Sequence, residues 1–452
     1  MAAEPVASSG PELADVQGLV ARGYGELTAA TFLLGRIEGS AAARGWLAGL
    51  TELVTAADHR PEGRAVQVAF TSQGLRRLGL GDDVVSLFAN EFVDGMVSPH
   101  RSRTLGDIGT DAPEHWDWGG PGEPVDFAVL LYATDNAGLA SLLEEPAVAF
   151  PAGVQLVRRL GTSDLRGREP FGFRDGISQP FVEGLSKQGP RAVTLKFGEF
   201  VLGYPNEYGR YSEQQLLDAA PQISKNGSYL VLRQLRQDVR GFWHYLDDAA
   251  GSDPERRTWL AAKLVGRWPG GASLTLSPER DDPGLAVEND FTYHGPDRHG
   301  TGCPLGAHVR RANPRDSLDP KPGTEKSLAI NRRHRLLRRG REYGKQLTVE
   351  EALQPGVPGE EERGLHFVCL NGSIARQFEF VQGTWMNDPT FRGLYDDSDP
   401  ITAPSKPFGG TFTIQRDGVR QRLHEVPRFV AVRGGAYFFL PSLTALRTLS
   451  SL

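Results

Sequence analysis

The sequence predicts an α+β protein built as two similar halves. Three observations carry this reading. Short β-prone runs recur along the 452 residues, segments of helical period lie between them, and the strand–helix–strand order is repeated in both halves.

Residues 1–15 read as a flexible leader, followed by a first half over 16–220 and a second over 221–452. VQGLV (16–20), TAATFLLGRI (28–37) and AVQVAF (65–70) are short, apolar and bounded by glycine or polar residues, which predicts strands. Between the last two, AAARGWLAGLTELVTAA (41–57) places Trp46, Leu47, Leu50 and Leu53 at helical spacing. DFAVLLYATD (126–135) reads as a strand before a helix around 136–145, and VQLVRRL (154–160) as another strand. The second half repeats the order: a strand at 227–238, a helix at 258–268, the apolar strand GLHFVCLNG (364–372) before the helical SIARQFEFVQGTWMN, and GAYFFLPS (435–442) before a last helix. The stretch 269–330 is rich in Gly, Pro, Asp and Arg and reads as a long ordered loop system, a common carrier of function.

Composition narrows the function classes. With 39% hydrophobic and 23% charged residues the chain is of globular type. A net charge of −6 disfavours general nucleic-acid binding. The first residues, MAAEPVASSGPELADVQG, show no basic start with an apolar core and no twin arginine, and no run of 18 apolar residues occurs. The expectation is a cytoplasmic protein with no membrane association. Cys303 and Cys369 belong to neither CxxC nor CxxCH, which argues against zinc ribbons, iron–sulfur clusters and covalently attached haem.

Three compact motifs remain. GFRDGISQP (172–180) flanks Arg174-Asp175 with glycines, which allows a tight turn and close approach to a flat ligand, although an ordinary Asx turn explains it equally simply. GCPLGAHVRRANPRD (302–316) sets His308 behind the small Gly306 and Ala307, leaving space for a planar cofactor, with Arg310 and Arg311 able to neutralise carboxylates. The plainer reading is a surface histidine, and periodicity does not select His308 among the ten histidines. HRLLRRGREYG (334–344) closes a run with eleven Lys or Arg against three acids between 310 and 341, commonly a solvated face.

Taken in order with GLHFVCLNGSIARQFEFVQGTWMNDPTF, DVQGLVARGYGELTAATFLLGRI and EFVLGYPNEYG (199–209), these motifs resemble the dye-decolorizing peroxidases. The likeness is to their longer bacterial and fungal-like branch and runs from about residue 16 onward. The resemblance implies two ferredoxin-like halves, each an antiparallel sheet with outer helices, in a dimeric α+β barrel-like arrangement. One non-covalent haem b would sit in the C-terminal half. It implies His308 as proximal iron ligand and Asp175 as distal acid–base group. The distal arginine falls on Arg338, six residues before Gly344, with Arg339 as the alternative. Arg310 is assigned to the haem carboxylates. The carboxylate behind the proximal histidine falls in LYDDSDP, on Asp396, with Asp397 as the alternative. Leu365 and Phe367 fall where apolar residues shield the distal face. Arg341-Glu342 departs from the family pattern, which often has an apolar residue and proline there.

The implied reaction reduces hydrogen peroxide to water through a ferryl intermediate and oxidises bulky dyes, phenolics or similar one-electron donors. Manganese(II) is a further candidate donor, through acids of DSLDP or YDDSDP. Trp243 and Tyr245 are two of many candidate exits for electrons. The competing reading is a haem-handling or iron-releasing protein with little turnover, which shares His308 but needs no distal Asp–Arg pair.

Overall fold

The computed structural model describes residues 10–185, 194–356, 359–404 and 409–452. In the first half, strands β1 (Ala29–Ile37), β2 (Arg64–Phe70), β3 (Phe127–Ala133) and β4 (Val154–Gly161) form an antiparallel sheet in the order β4-β1-β3-β2. Helices Ser40–Thr51 and Asn136–Leu143 cross between β1 and β2 and between β3 and β4. Strand–helix–strand twice over with this order is the ferredoxin-like arrangement. A minor parallel pair, β5 (Phe181–Val182) with β6 (Thr194–Leu195), follows.

The second half contains β7 (Ser228–Gln237), β8 (Leu337–Arg338), β9 (Arg341–Tyr343), β10 (Gly364–Asn371), the hairpin β11 (Gly410–Ile414) with β12 (Gln421–Val426), and β13 (Val430–Leu440). The order β13-β7-β10-β8, with β9 also on β10, reproduces the arrangement of the first half. The two sheets join where Phe439 of β13 pairs with Phe70 of β2. At the opposite edges, Ser163 N donates to Glu342 O (2.8 Å), bringing the end of β4 onto β9. Alternate side chains divide accordingly. Phe32, Leu130, Leu232, Val368 and Phe438 share one core between the sheets. Leu33, Val129, Val231, Cys369 and Tyr437 belong to the other, beneath the outer helices.

Local expectations fail where a single residue redirects the chain. The 16–20 segment is a buried turn and not a strand, because Gln17 spends its amide on Val68 O and Pro441 O (both 2.8 Å). The stretch after Ser373 forms two wide-turn helices, Ala375–Glu379 and Val381–Met386. Residues 1–9 of the expected leader lie outside the described residues. Residues 10–15 are anchored, with Asp15 Oδ1 accepting from Thr444 N (2.7 Å) and Glu12 pairing with Lys225 (2.6 Å).

Candidate active site

His308 opens a short helix, His308–Ala312, within the long loop system. Its Nδ1 stands 3.1 Å from each carboxylate oxygen of Asp399. Asp399 is itself buried, and its Oδ1 accepts from Ile401 N (3.0 Å) and Thr402 N (2.7 Å). Burial opposes a charged His308 ring, but the charge and hydrogen bond of Asp399 outweigh it and lift the imidazole above its ordinary pKa. Burial likewise opposes ionisation of Asp399, yet His308 and Arg311 hold its carboxyl below the usual range. The expected partners are corrected. Asp397 is buried and takes Thr411 Oγ1 (2.7 Å), while the backbone of Asp396 turns through φ 61° and its carbonyl accepts from the same hydroxyl (2.6 Å). The reversal at Asp396 carries the chain two residues further before a carboxylate meets His308.

With Nδ1 engaged, Nε2 is the free ring nitrogen. His308 is partly buried, with 29% of its side-chain surface accessible. Arg338 is near enough for its charge to oppose protonation of His308.

Arg338 and Asp175 meet across two segments of chain. The carboxamide of Gln179 both accepts from Arg338 N and donates to Arg338 O (3.2 Å each), tying the 172–180 motif to β8. Arg338 Nη1 then lies 3.5 Å from Asp175 Oδ1, each side chain 35% accessible. The motif is braced from behind. Glu169 accepts from Phe171 N (3.0 Å), Phe173 N (2.9 Å) and Gln237 Nε2 (2.7 Å), and burial pushes its carboxyl up to about 7. Gly172 and Gly176 adopt φ of +100° and +78°, and a Cβ at either would meet nothing within 4 Å, so open space adjoins Asp175.

Antiparallel register places further side chains on this face. Cys369 of β10 pairs with Arg338 and Leu365 with Glu342, so Leu365, Phe367, Arg338 and Glu342 project to one side. Arg339 points the other way, its guanidinium donating to Leu19 O and Val20 O (2.8 Å each). Of the two alternatives, Arg338 is therefore the one beside Asp175.

Curated relatives match most of the chain. The chain is 32% identical over 430 residues to a dye-decolorizing peroxidase of Mycena epipterygia, covering 86% of this chain and 76% of that protein. The chain belongs to the dye-decolorizing peroxidase family. It is also 31% identical over 412 residues to peroxidase 2 of Mycetinis scorodonius (85% and 76% covered), while no protein-family model matches it. Among solved structures, an ancestral D-type dye-decolorizing peroxidase superposes with a TM-score of 0.81 at 30% identity, over 97% of this chain and 99% of that one. The Auricularia auricula-judae enzyme superposes with 0.83 at 25% identity, over 98% and 100%. A further relative, at 0.81 and 27% over 97% and 100%, was solved with 2,6-dimethoxyphenol. The protein is a haem-dependent peroxidase of two ferredoxin-like halves.

Within this dye-decolorizing peroxidase, two expected features are absorbed by packing. Arg310 is buried against Asp297 (3.0 Å), donates to Cys303 O (2.6 Å) and Asp297 O (2.9 Å), and lies over Tyr293, so its donors are spent on holding the loop. A Cβ at Gly306 would come within 3.3 Å of Leu394, so the small residue there lets Leu394 and Phe412 pack against the loop. Arg335 differs from Arg310. It is 8% exposed, its hydrogen bond goes to Ser178 O (3.3 Å), and it has no carboxylate partner among the described residues. Burial, with the charges of Arg315 and Arg338, pushes it down to about 9. A buried cation so placed fits an anionic cofactor edge. Trp243 is buried and donates to Phe171 O (3.2 Å), and Tyr245 to His424 O (2.9 Å), so both hold loops.

Proposed function

We propose that His308 would hold haem iron through Nε2, that Asp175 and Arg338 would process hydrogen peroxide, and that bulky dyes and phenolics would supply the electrons. The observation that carries this reading is an Asp399-backed histidine that feels the charge of Arg338, itself paired with Asp175. The donor set fits haem b without a covalent link, since both cysteines are buried free thiols outside any CxxCH. Arg335, and not Arg310, is assigned to the haem carboxylates.

Bound haem supplies the iron that accepts the oxidising equivalents of peroxide. Asp399 fixes the proton on Nδ1 and strengthens the donation of Nε2. Asp175 takes a proton from peroxide at its carboxylate and returns it to the departing oxygen. Arg338 stabilises the negative charge that develops as the O–O bond opens. Leu365 and Phe367 keep water from that face.

Phenolic donors are supported by the relative solved with 2,6-dimethoxyphenol. Manganese(II) is left out of the proposal. Among the described residues no group of three or more His, Cys, Asp or Glu is placed to hold a metal ion, and Asp319 of DSLDP pairs with Arg392 (2.9 Å). A cytoplasmic setting belongs to the proposal, supported by the two free thiols and tested by fractionation.

The test is the visible spectrum of the protein purified with haem supplied, before and after stoichiometric peroxide. A ferric spectrum that changes within milliseconds, and no longer does so in Asp175→Asn, supports the assignment. Bound haem that ignores peroxide in the wild type would turn the reading toward haem handling.

A further inference from the structure

The resemblance marks Arg341-Glu342 as a departure from the usual family pattern, and the fold puts Glu342 where a carboxylate has consequences. It lies on the three-residue strand β9, directly opposite Leu365 of β10. Because Leu365 and Cys369 share a face of β10, and Cys369 pairs with Arg338, the Glu342 side chain projects to the same side as the Asp175–Arg338 pair. Its neighbour Arg341 goes to the opposite face, donating to Gly23 O (3.2 Å) and Leu27 O (3.1 Å) with its guanidinium over Tyr132. The backbone of Glu342 is fixed by Ser163 N (2.8 Å), so the side chain is held at the junction of β4, β9 and the 172–180 motif.

The groups facing Glu342 are mostly of its own sign. Asp175 approaches from the 172–180 motif and Asp164 from the end of β4, with Arg341 the cation of its own strand. Leu365 is the apolar neighbour from β10. The side chain is partly buried, and among the described residues it enters no ion pair. Burial first, then the charge of Asp175, pushes the carboxyl up to about 7.

We propose that Glu342 is a second proton-exchanging carboxyl of the distal face, and that its ionisation opposes the binding of anions beside Asp175. This rests on the reading of that face as the peroxide side. In acid, Glu342 is a neutral hydrogen-bond donor and adds no charge beside Asp175 and Arg338. As pH rises through neutrality it releases one proton toward solvent and adds a negative charge. Anionic ligands, including the hydroperoxide left when Asp175 takes a proton from peroxide, then meet added repulsion. Glu342 is thus a tuning residue acting through charge, not a catalytic residue.

The experiment is cyanide titration of the ferric holoenzyme, followed by the Soret band, from about pH 5 to about pH 8, below the ionisation of hydrogen cyanide. The wild type is expected to lose affinity by about tenfold across neutrality, a factor equal to one pK unit of coupling. Glu342→Gln should abolish the step and bind as the wild type does in acid. Glu342→Asp, which keeps the ionisable group, should retain it. A step of unchanged size in Glu342→Gln overturns the inference. Infrared titration tests the same point by difference: a protonated carboxyl lost near neutral pH in the wild type must be missing from Glu342→Gln, because Glu169 and Glu213 contribute to both spectra, and identical spectra overturn the inference. The two readings fail separately, because a holoenzyme that binds no cyanide at any pH refutes the open distal face itself.

Discussion

Asp399 meets His308 with both carboxylate oxygens 3.1 Å from Nδ1, and the same carboxylate receives the amides of Ile401 and Thr402. The turn after Asp399 thus fixes the carboxylate before the histidine uses it. An imidazole held this way keeps one tautomer and a more electron-rich Nε2.

Asp399→Asn is therefore expected to keep the fold but slow the reaction with peroxide by about 10- to 100-fold, the usual cost of losing such a partner. The ferric haem should also become easier to reduce. Asp396→Asn should change both by less than about twofold, since the backbone turn at Asp396 directs the chain past His308. Stopped-flow kinetics and a redox titration of the two variants decide between the residues, and equal effects would remove Asp399 from the site.

Arg338 and its neighbour separate chemistry from stability. Arg338→Leu should leave haem bound and lower the peroxide rate constant by about 10²- to 10³-fold, the scale for one lost charge-stabilising donor. Arg339→Leu removes donors from Leu19 O and Val20 O and should lower the melting temperature with little effect on that rate. A slow Arg339→Leu beside a normal Arg338→Leu would reverse the assignment.

Much of this site was legible in sequence because it rests on residues that keep their neighbours in the chain. Asp175 and His308 each sit in a compact motif, and the resemblance carried by those motifs in order pointed to them and to Leu365 and Phe367. What sequence missed depends on contacts across long separations. Gln179 finds Arg338 only once the 172–180 motif docks on β8. Asp399 was displaced from the expected Asp396 by one positive-φ turn that no pattern announces. Arg310 and Arg335 look alike in sequence, and only the fold gives one of them the buried Asp297. The strands were read well because apolar runs of strand length recur, whereas 16–20 was misread because a buried turn is equally apolar.

That difference between the two arginines is measurable. Arg310→Ala leaves Asp297 buried without its cation and should destabilise the protein by about 3–5 kcal/mol, read by denaturant unfolding of the haem-free chain. Arg335→Leu removes a buried cation that lacks a carboxylate partner among the described residues, so the haem-free chain should be no less stable. Its haem affinity should fall by about tenfold or more, the scale of one lost charge-assisted bond. The opposite pattern would return the haem carboxylates to Arg310.

Glu213 offers a test of pH-dependent stability away from His308 and Asp175. It is partly buried before the helix Gln214–Ala219, and burial, followed by the charge of Glu91, pushes its carboxyl up to about 7 from an ordinary 4.5. A carboxyl raised on folding makes the native state bind the proton more tightly. Its stabilising contribution is complete below about pH 4.5 and is lost as pH rises through about 7. The full shift corresponds to roughly 3 kcal/mol, and partial exposure reduces it to about 1–2 kcal/mol. Glu213→Gln cannot ionise, so relative to the wild type it should gain that amount between about pH 5 and about pH 8. Urea unfolding of both proteins at the two pH values measures the difference directly, and parallel pH dependences would show that Glu213 is already ionised in the folded protein at the lower pH.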